Sequence, residues 1–365
     1  MNHLELFAGV GGFRRALDLL QRDRVMNFHC IGYSEIDANA IKTYKANFKL
    51  NDDEVVLGDI VEFTHDENRI LALPPFDLLT GGFPCQTFSM MGNMEGFNED
   101  RGQMFFRIRD LIKVLKDNGR QPRYLLLENV KNLFTHDKKN TYRVIEDELI
   151  KLGYFVYPNV FNTVDFGLPQ IRNRALIFCT TEELPSSFRD NFKTENVISY
   201  FNNVIRKRRT SIRKYKTVND ILVKRVDQKY YLSTRVKPTI LSDGSGGFKS
   251  KSIIDLKIAR PLTATMHKMH RACQDNYYSE QFIMSKGKNP VNPDMPKDEQ
   301  ANLDIRKLTP KEAFMLQGFP QTFYKKAHEA NVSDGAMYKQ AGNAVSVNMI
   351  YSVLYYLIKN KAIRE

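Results

Sequence analysis

The chain has 365 residues, of which 42% are hydrophobic and 26% charged, so it can bury the core of one large domain and of a smaller one. Its 54 Lys and Arg against 42 Asp and Glu leave a net charge of +12, which indicates a polyanionic partner. No apolar run approaches the roughly 18 residues of a membrane span, and the four widely spaced cysteines exclude a disulfide scaffold and a cysteine-rich zinc site.

Short apolar strands alternate with amphipathic stretches through the first half of the chain. The pattern predicts strands at 4–7, 30–34, 55–57, 76–79, 124–127 and 175–179. Between them it predicts helices at 13–20, 37–47, 104–116 and 140–152. Strands that alternate with helices of about ten residues imply a parallel, doubly wound α/β sheet.

The composition changes after residue 181. Residues 181–305 are loop-rich and hold an excess of nine positive charges, including a run at 205–216 with seven Lys or Arg and no acid. We predict a basic second domain over 181–327 and a first domain formed by 1–180 plus 328–365. The run at 205–216 suits phosphate contacts, although a solvated helix face would give the same composition.

Two helices are predicted near the C-terminus. Thr309 suits a helix cap, Pro310 the first helical position and Glu312 the closing residue of a capping box. A final apolar helix is predicted over 345–359. Residues 1–7 lack the basic start of a signal peptide, so we expect a cytoplasmic protein with reduced thiols.

Three successive strands end in residues that suit a nucleoside-sized ligand. The first leads into the glycine turn FAGVGG, the second ends at Glu35 and the third at Asp59. Because parallel strands end at one edge of a sheet, these groups should lie together. The turn is not Gly-x-Gly-x-x-Gly, so it does not favour a pyrophosphate. The alternative is a tight turn followed by two acids that cap helices.

Further polar residues follow the later strands. Cys85 comes after Gly-Gly-Phe-Pro, where its thiolate could be a nucleophile, although a lone cysteine is usually a small buried hydrophobe. Glu128 ends an apolar strand, where it could hold a proton or cap a helix. Arg172 and Arg174 lie two residues apart on an extended segment and share a face. They could bind a phosphate or a base carbonyl, or form a solvated pair.

These segments together resemble one family, the bacterial cytosine-C5 DNA methyltransferases. The motifs that carry the resemblance are FAGVGG, YSEID, GDI, GGFPCQTFS, LLLENV, GLPQIRNR, RKLTPKEAFMLQGFP and YKQAGNAVSVN. They span roughly 1–180 and 305–360, and Pro-Cys-Gln, Glu-Asn-Val and Gln-x-Arg-x-Arg in this order are highly specific. The resemblance implies a Rossmann-like methyltransferase sheet domain with a smaller, loop-rich target-recognition domain.

The resemblance also implies S-adenosylmethionine as cofactor and S-adenosylhomocysteine as product. Glu35 would bind the ribose and Asp59 the adenine, while Ile60 would pack on the adenine ring. The full set of implied cofactor residues is Phe7, Gly9, Gly11, Gly12, Glu35, Ile36, Asp59, Ile60, Asn343 and Val345. No metal is expected.

The implied chemistry acts on a cytosine that is flipped out of duplex DNA. Cys85 would add to C6, Glu128 would bind the N3 and N4 edge, and Arg174 would stabilise charge on O2. Arg172 would support the loop or the phosphate. DNA contacts are expected from Gln86, Ser89, Arg101, Arg206, Arg208, Arg209 and Thr263. Thr263 is followed by Ala264, where the family often has Leu, Ile or Val.

The implied partners are duplex DNA and, acting separately, a cognate restriction endonuclease; we expect a monomer that contacts no membrane. An RNA substrate is one alternative, but the tRNA-acting branch has Cys-Phe-Thr, whereas Cys273 precedes Gln-Asp. A catalytically silent DNA-binding regulator would not need Cys85, Glu128 and Arg174. A nicotinamide dehydrogenase would need Gly-x-Gly-x-x-Gly.

Overall fold

A computed structural model describes residues 1–84, 104–207, 210–243, 250–268, 270–271 and 273–365. In this part of the chain a seven-stranded sheet forms the centre and a two-stranded sheet lies in the basic region. The large sheet contains β1 (Asn2–Leu6), β2 (His29–Tyr33), β3 (Val55–Val56), β4 (Leu78–Gly82), β5 (Tyr124–Val130), β6 (Phe155–Asn162) and β7 (Asn173–Thr180). The small sheet contains β8 (Tyr277–Ser279) and β9 (Ile305–Lys307).

The strand order in the large sheet is β3-β2-β1-β4-β5-β7-β6. The first five strands in this order, β3, β2, β1, β4 and β5, are parallel to one another. Strand β7 runs antiparallel to both β5 and β6. The α/β class is therefore confirmed, but the prediction of an all-parallel sheet is wrong at β7. The chain returns from β6 to β7 through residues 163–172 without a crossover helix, and a direct return makes the pair antiparallel.

Strand β6 was not predicted. It contains Pro158 and Asn159 and lies at the sheet edge, where the lack of a second neighbour tolerates proline. The predicted helices, in contrast, are all present. They are α1 (Gly12–Arg22), α2 (Ala38–Asn47), α5 (Met104–Asp117), α6 (Asn140–Lys151), α12 (Pro310–Leu316) and α15 (Val347–Lys359). Two short helices that were not predicted, α3 (Ile60–Thr64) and α4 (Glu67–Leu71), precede β4.

The remaining helices follow β7. They are α7 (Ser186–Asn191), α8 (Thr194–Arg206), α9 (Lys237–Leu241), α10 (Glu280–Met284), α11 (Lys297–Ala301), α13 (Gln321–Glu329) and α14 (Asp334–Asn343). The predicted capping box of α12 is confirmed, because the Thr309 hydroxyl accepts from the Glu312 amide and the Glu312 carboxylate accepts from the Thr309 amide.

Two hydrophobic clusters cover the two faces of the large sheet. One joins α1, α8 and α15 and extends to residues 308–332, and the other joins α3, α4, α5 and α6. A third, smaller cluster lies within 232–305 and contains Leu232, Ile240, Leu241, Ile254, Tyr277, Val291 and Ile305. The basic region thus has a core of its own, while α8 packs against the core of the large sheet. The exact domain limits stay a prediction.

One helical stretch, Asp334–Lys359, has the length and apolar composition of a membrane span. However, 83% of its most apolar window is buried inside the protein. It contains α15, which packs between α1 and α8. The apolar surface of this stretch is therefore used to build the core.

Candidate active site at the carboxyl edge of the sheet

The glycine turn lies where the order of the strands reverses, between β1 and its two neighbours β2 and β4. Phe7, Gly9 and Gly11 all have left-handed backbone angles, with φ of 52°, 55° and 80°. Residues that carry a side chain rarely adopt this backbone conformation without strain, which explains the glycines at positions 9 and 11. The turn brings the backbone to the edge of the sheet at which α/β proteins bind ligands.

Glu35 ties the glycine turn to the end of β2. One oxygen of its carboxylate accepts from the Gly9 amide at 2.7 Å, and the other accepts from the amides of Ile36 and Asp37 at 2.8 and 2.7 Å. Three backbone donors therefore fix the carboxylate beside the turn. A change at Glu35 should alter this edge without opening the core.

The edge beside Glu35 leaves space at two glycines. A Cβ atom placed on Gly9 or Gly58 would have no described atom within 4 Å, and the Ile36 side chain is 71% exposed. Asp59 caps α3 by accepting from the Val61 amide at 2.8 Å, and Ile60 is buried in the core. The helix-capping role of Asp59 is thus present in the structure, and Ile36 is the apolar side chain that faces open space.

The C-terminal segment closes the other side of the turn. A Cβ atom on Gly12 would lie 2.4 Å from the Val345 side chain, and one on Gly82 would lie 3.6 Å from it. Val345 therefore packs between the glycine turn and the end of β4. Asn343, the last residue of α14, is exposed next to it.

Glu128 and Arg174 form an ion pair next to the end of β4. The Arg174 Nε atom lies 2.8 Å from a Glu128 carboxylate oxygen, and the two side chains are 15% and 10% exposed. Glu128 is the β5 residue paired with Gly82, and a Cβ atom on Gly82 would lie 3.4 Å from the carboxylate. The absence of a side chain at Gly82 keeps the space over Glu128 open.

The segment that leads to Cys85 is fixed to the same place. The Asn129 side-chain amide donates to the Phe83 carbonyl at 2.9 Å, and Phe83 is buried. Cys85, Gln86, Ser89 and Arg101 lie outside the described residues, as do Arg208 and Arg209. Phe83, two residues before Cys85 in the sequence, is therefore held beside β5.

Arg172 is buried and binds backbone rather than solvent. Its guanidinium donates to the carbonyls of Leu262, Gly342 and Ala344 at 2.9, 2.9 and 3.0 Å. Burial and the nearby Arg174 lower its pKa. Of the two roles expected for Arg172, loop support is the one its contacts match, because its buried guanidinium cannot reach a phosphate.

Gln170 belongs to the same connection, although sequence analysis gave it no role. Its side-chain oxygen accepts from the Leu262 amide at 2.8 Å, and its nitrogen donates to the Leu316 carbonyl at 3.1 Å. The signal was present as the first residue of Gln-x-Arg-x-Arg. Such contacts between distant segments cannot be inferred from spacing alone.

The structure describes two of the residues expected to contact DNA, Thr263 and Arg206, and they lie on different elements. Thr263 packs against Gly342, since a Cβ atom placed on Gly342 would lie 2.3 Å from the Thr263 carbonyl carbon. The hydroxyl of Thr263 is buried and has no hydrogen-bond partner among the described residues. Arg206 is at the exposed end of α8 and donates to the Asn203 side chain. Thr263 is therefore held near the Arg172 contacts, and Arg206 lies on a different element.

Two of the other described thiols are buried, which disfavours their thiolate form. Burial raises the pKa of Cys30 to about 12 and also raises that of the buried Cys179. Cys273 donates to the Ser250 carbonyl at 2.9 Å. In the described ranges no group of three His, Cys, Asp or Glu residues could hold a metal ion.

The family model of the C-5 cytosine-specific DNA methylases matches residues 1–359. Among similar proteins is the type II methyltransferase M1.ScrFI of Lactococcus lactis subsp. cremoris, 36% identical over 96% of this chain and 76% of its own. M.HpaII of Haemophilus parainfluenzae is 34% identical, with 95% and 86% covered. M.HaeII of Haemophilus aegyptius is 32% identical, with 98% and 92% covered.

Solved structures agree on the fold. The Dnmt2 methyltransferase of S. pombe superposes with a TM-score of 0.72 at 18% identity, covering 100% of both chains. The methyltransferase EhMeth of Entamoeba histolytica superposes with a TM-score of 0.68 at 20% identity, covering 100% of this chain and 99% of its own. The predicted methyltransferase-type sheet domain is confirmed.

Proposed function

Because the chain belongs to the C-5 cytosine-specific DNA methylase family and is a DNA cytosine-C5 methyltransferase, we propose that it methylates a flipped-out cytosine through a covalent bond from Cys85 to C6. The observation that carries this proposal is the Glu128–Arg174 pair beside the end of β4. A carboxylate and a guanidinium at a partly open edge can bind the polar edge of a pyrimidine. The chain that follows β4 carries the cysteine.

The chain's residues would activate the base in a defined order. The Cys85 thiolate donates an electron pair to C6, and the C5–C6 double bond shifts its electrons toward N3. Glu128 binds the N3 and N4 edge and supplies the proton that N3 takes up. C5 thereby becomes an enamine carbon, which is nucleophilic enough to accept a methyl group.

Arg174 is suited to stabilise the charge that develops on O2. Its Nε binds Glu128 and its Nη1 donates to the Asn173 carbonyl at 2.8 Å, whereas Nη2 has no partner among the described residues. A donor fixed before the base arrives costs little reorganisation during the reaction. C5 then gives up its proton to solvent, and the electron pair of the C5–H bond forms the C5–C6 double bond as the C6–sulfur bond breaks. Cys85 leaves as a thiolate, and N3 returns its proton to Glu128.

The edge beside Glu35 would hold the cofactor. S-adenosylmethionine supplies an electrophilic methyl group when it is bound. Glu35 would bind the ribose hydroxyls, the exposed Ile36 would cover the adenine ring, and Val345 would close the pocket from the C-terminal segment. The open space at Gly9 and Gly58 is what makes these residues suitable.

The type II relatives support a role in a restriction-modification system. We infer that the enzyme acts as a monomer in the bacterial cytoplasm on a specific duplex sequence and protects it from a separate endonuclease. Thr263 and the basic region would contact the DNA. Flipping the base costs a few kcal/mol, which contacts to the displaced base and the backbone must offset.

Tritiated methyl transfer tests this function. Label should enter duplex DNA and not tRNA, and bisulfite sequencing of DNA from expressing cells should show modified cytosines in one sequence context. Label in tRNA alone would replace DNA with RNA as the substrate. Label in neither substrate, from a protein that still binds DNA, would favour the silent regulator.

A further inference from the structure

A basic cavity lies on the α1 side of the large sheet. It has a volume of about 600 Å³ and six cationic side chains, Arg14, Arg15, Arg22, Lys49, Arg213 and Lys326. Asp18 is its only carboxylate among the described residues. None of the residues proposed for the cofactor or the cytosine lines it. The cavity is therefore a second polar site with a strong excess of positive charge.

The cavity is separate from the carboxyl edge of the sheet. Helix α1 begins there at Gly12 and runs away from it, and Arg15, Asp18 and Arg22 follow at spacings of three and four, which places them on one face. At about 1.5 Å per residue, Arg22 lies roughly 15 Å along the helix from Gly12. The cavity therefore extends along α1 away from that edge.

Most of the cations in the cavity make no ion pair, although the Asp18 carboxylate lies close enough to interact electrostatically with Arg14, Arg15 and Arg22. Arg14 is paired, since it contacts the Glu54 carboxylate at 2.5 Å. The other five side chains make no ion pair within the described ranges, and the Arg15 Nε is buried without a hydrogen-bond partner. Burial, followed by the charges of Arg22 and Arg213, lowers the pKa of Arg15. Like charges held together in this way favour a bound anion.

The walls of the cavity are fixed by the rest of the fold. The Ser211 amide and hydroxyl donate to the Asp23 carboxylate at 2.9 and 2.6 Å, and the Tyr351 hydroxyl donates to it at 2.7 Å. The Asn348 side chain donates to the Arg213 carbonyl at 2.9 Å. The site is preformed, as small-molecule sites usually are.

We propose that this cavity binds a free polyphosphate anion, such as the phosphate chain of a nucleoside triphosphate. Guanidinium groups and lysines match phosphoryl oxygens in charge and geometry. The concave shape and a volume of about 600 Å³ fit a ligand of nucleotide size. Thr263 and Arg206, the two described residues expected individually to contact DNA, do not line this cavity.

Isothermal calorimetry with sodium tripolyphosphate and with ATP tests the site. The double variant Arg15→Gln, Arg213→Gln should weaken binding at least about tenfold, since it removes two charged donors to phosphoryl oxygens. Lys193→Gln with Lys288→Gln removes the same charge from exposed positions outside the cavity and should leave binding unchanged. Absence of binding up to about 1 mM, or an equal loss in both variants, would overturn the proposal.

Asp18→Asn gives a test in the opposite direction. It removes the one competing carboxylate and should tighten tripolyphosphate binding severalfold; a loss of binding would overturn the proposal. Saturating S-adenosylmethionine should not compete with tripolyphosphate. Competition by it would move the anion to the cofactor edge, and stoichiometric competition by a duplex would identify DNA backbone as the ligand. Either result overturns a free polyphosphate site, whatever the methyl-transfer assay shows.

Discussion

Two arginine–glutamate pairs in this chain have the same contact distance and opposite surroundings. Arg174–Glu128 and Arg306–Glu312 are each 2.8 Å apart, but the first pair is 15% and 10% exposed and the second is fully buried. Glu312 accepts from both Nη atoms of Arg306 and from the amides of Val223 and Thr309. Glu128 accepts from Arg174 alone among the described residues.

The difference distinguishes an ion pair that can bind a ligand from one that only stabilises the fold. Every oxygen lone pair that Glu312 could offer a ligand is already used by fixed donors, so the pair can only join α12 to its neighbours. Glu128 retains capacity and has open space over Gly82. The pairing of charges is therefore uninformative by itself, and the unused hydrogen-bonding capacity identifies the functional pair.

The largest expected effect is the loss of catalysis when the Arg174–Glu128 pair is changed. Glu128→Gln keeps the size of the side chain but cannot exchange a proton with N3, so methyl transfer should fall about 10²–10⁴-fold. The thermal midpoint should fall less than when a fully buried pair is broken, because Glu128 has one described donor, Arg174, and both side chains keep some exposure. Methyl transfer and calorimetric unfolding of the same preparation check this. Unchanged activity would remove Glu128 from the chemistry.

The fully buried pair, Arg306–Glu312, should affect stability rather than catalysis. Glu312→Gln leaves the buried Arg306 guanidinium without its counter-charge, which should cost about 3–5 kcal/mol of stability. Cofactor affinity and the rate per folded molecule should stay near wild type below the melting temperature. Urea unfolding beside Glu128→Gln provides the matched control. Equal stability of the two variants would contradict the distinction between them.

The cofactor edge should give an intermediate effect. Glu35→Ala removes a charged acceptor beside the glycine turn and should weaken S-adenosylmethionine binding by about 1–3 kcal/mol. Calorimetric titration measures this directly, with Asp37→Ala as a control for loss of a neighbouring acid. An affinity equal to wild type would exclude Glu35 from the pocket.

A third buried acid gives a pH dependence. Burial raises the pKa of Glu5 from 4.5 to about 8, so its contribution to stability is complete below pH 4.5 and is lost as the pH rises to 8. Glu5→Gln does not titrate, and its stability relative to wild type should therefore increase from pH 5 to pH 8, by an amount on the order of 3 kcal/mol. Urea unfolding at pH 5 and pH 8 checks it. A constant difference would contradict the assignment.

The sequence was sufficient to predict the strands and helices that are marked by hydrophobic periodicity or by capping residues. The alternation of strands and helices predicted most of the sheet, and Thr309, Pro310 and Glu312 predicted the start of α12 correctly. Strand β6 and the reversal of β7 were missed, because direction depends on a connection that has no periodicity of its own. Glu128 and Arg174 were predicted individually, and their contact was not.

Other features required the folded chain. Arg172 resembled its neighbour Arg174 in sequence, but its partners are carbonyls of Leu262, Gly342 and Ala344, up to 172 residues away. The basic cavity combines side chains of α1, α13 and residues 211–213, which no motif connects. Long-range packing decides such features, and a single sequence does not reveal it.

The most direct test of the mechanism uses 5-fluorocytosine. A duplex in which every cytosine of one strand is fluorinated needs no knowledge of the recognition sequence. Cys85 should add to C6 and C5 should take the methyl group, after which fluorine cannot leave as a cation and the enzyme stays attached. A band shifted on a denaturing gel should appear only with S-adenosylmethionine, map to Cys85, and be absent from Cys85→Ser. An adduct on Cys30, Cys179 or Cys273, or full methyl transfer by Cys85→Ser, would contradict the account.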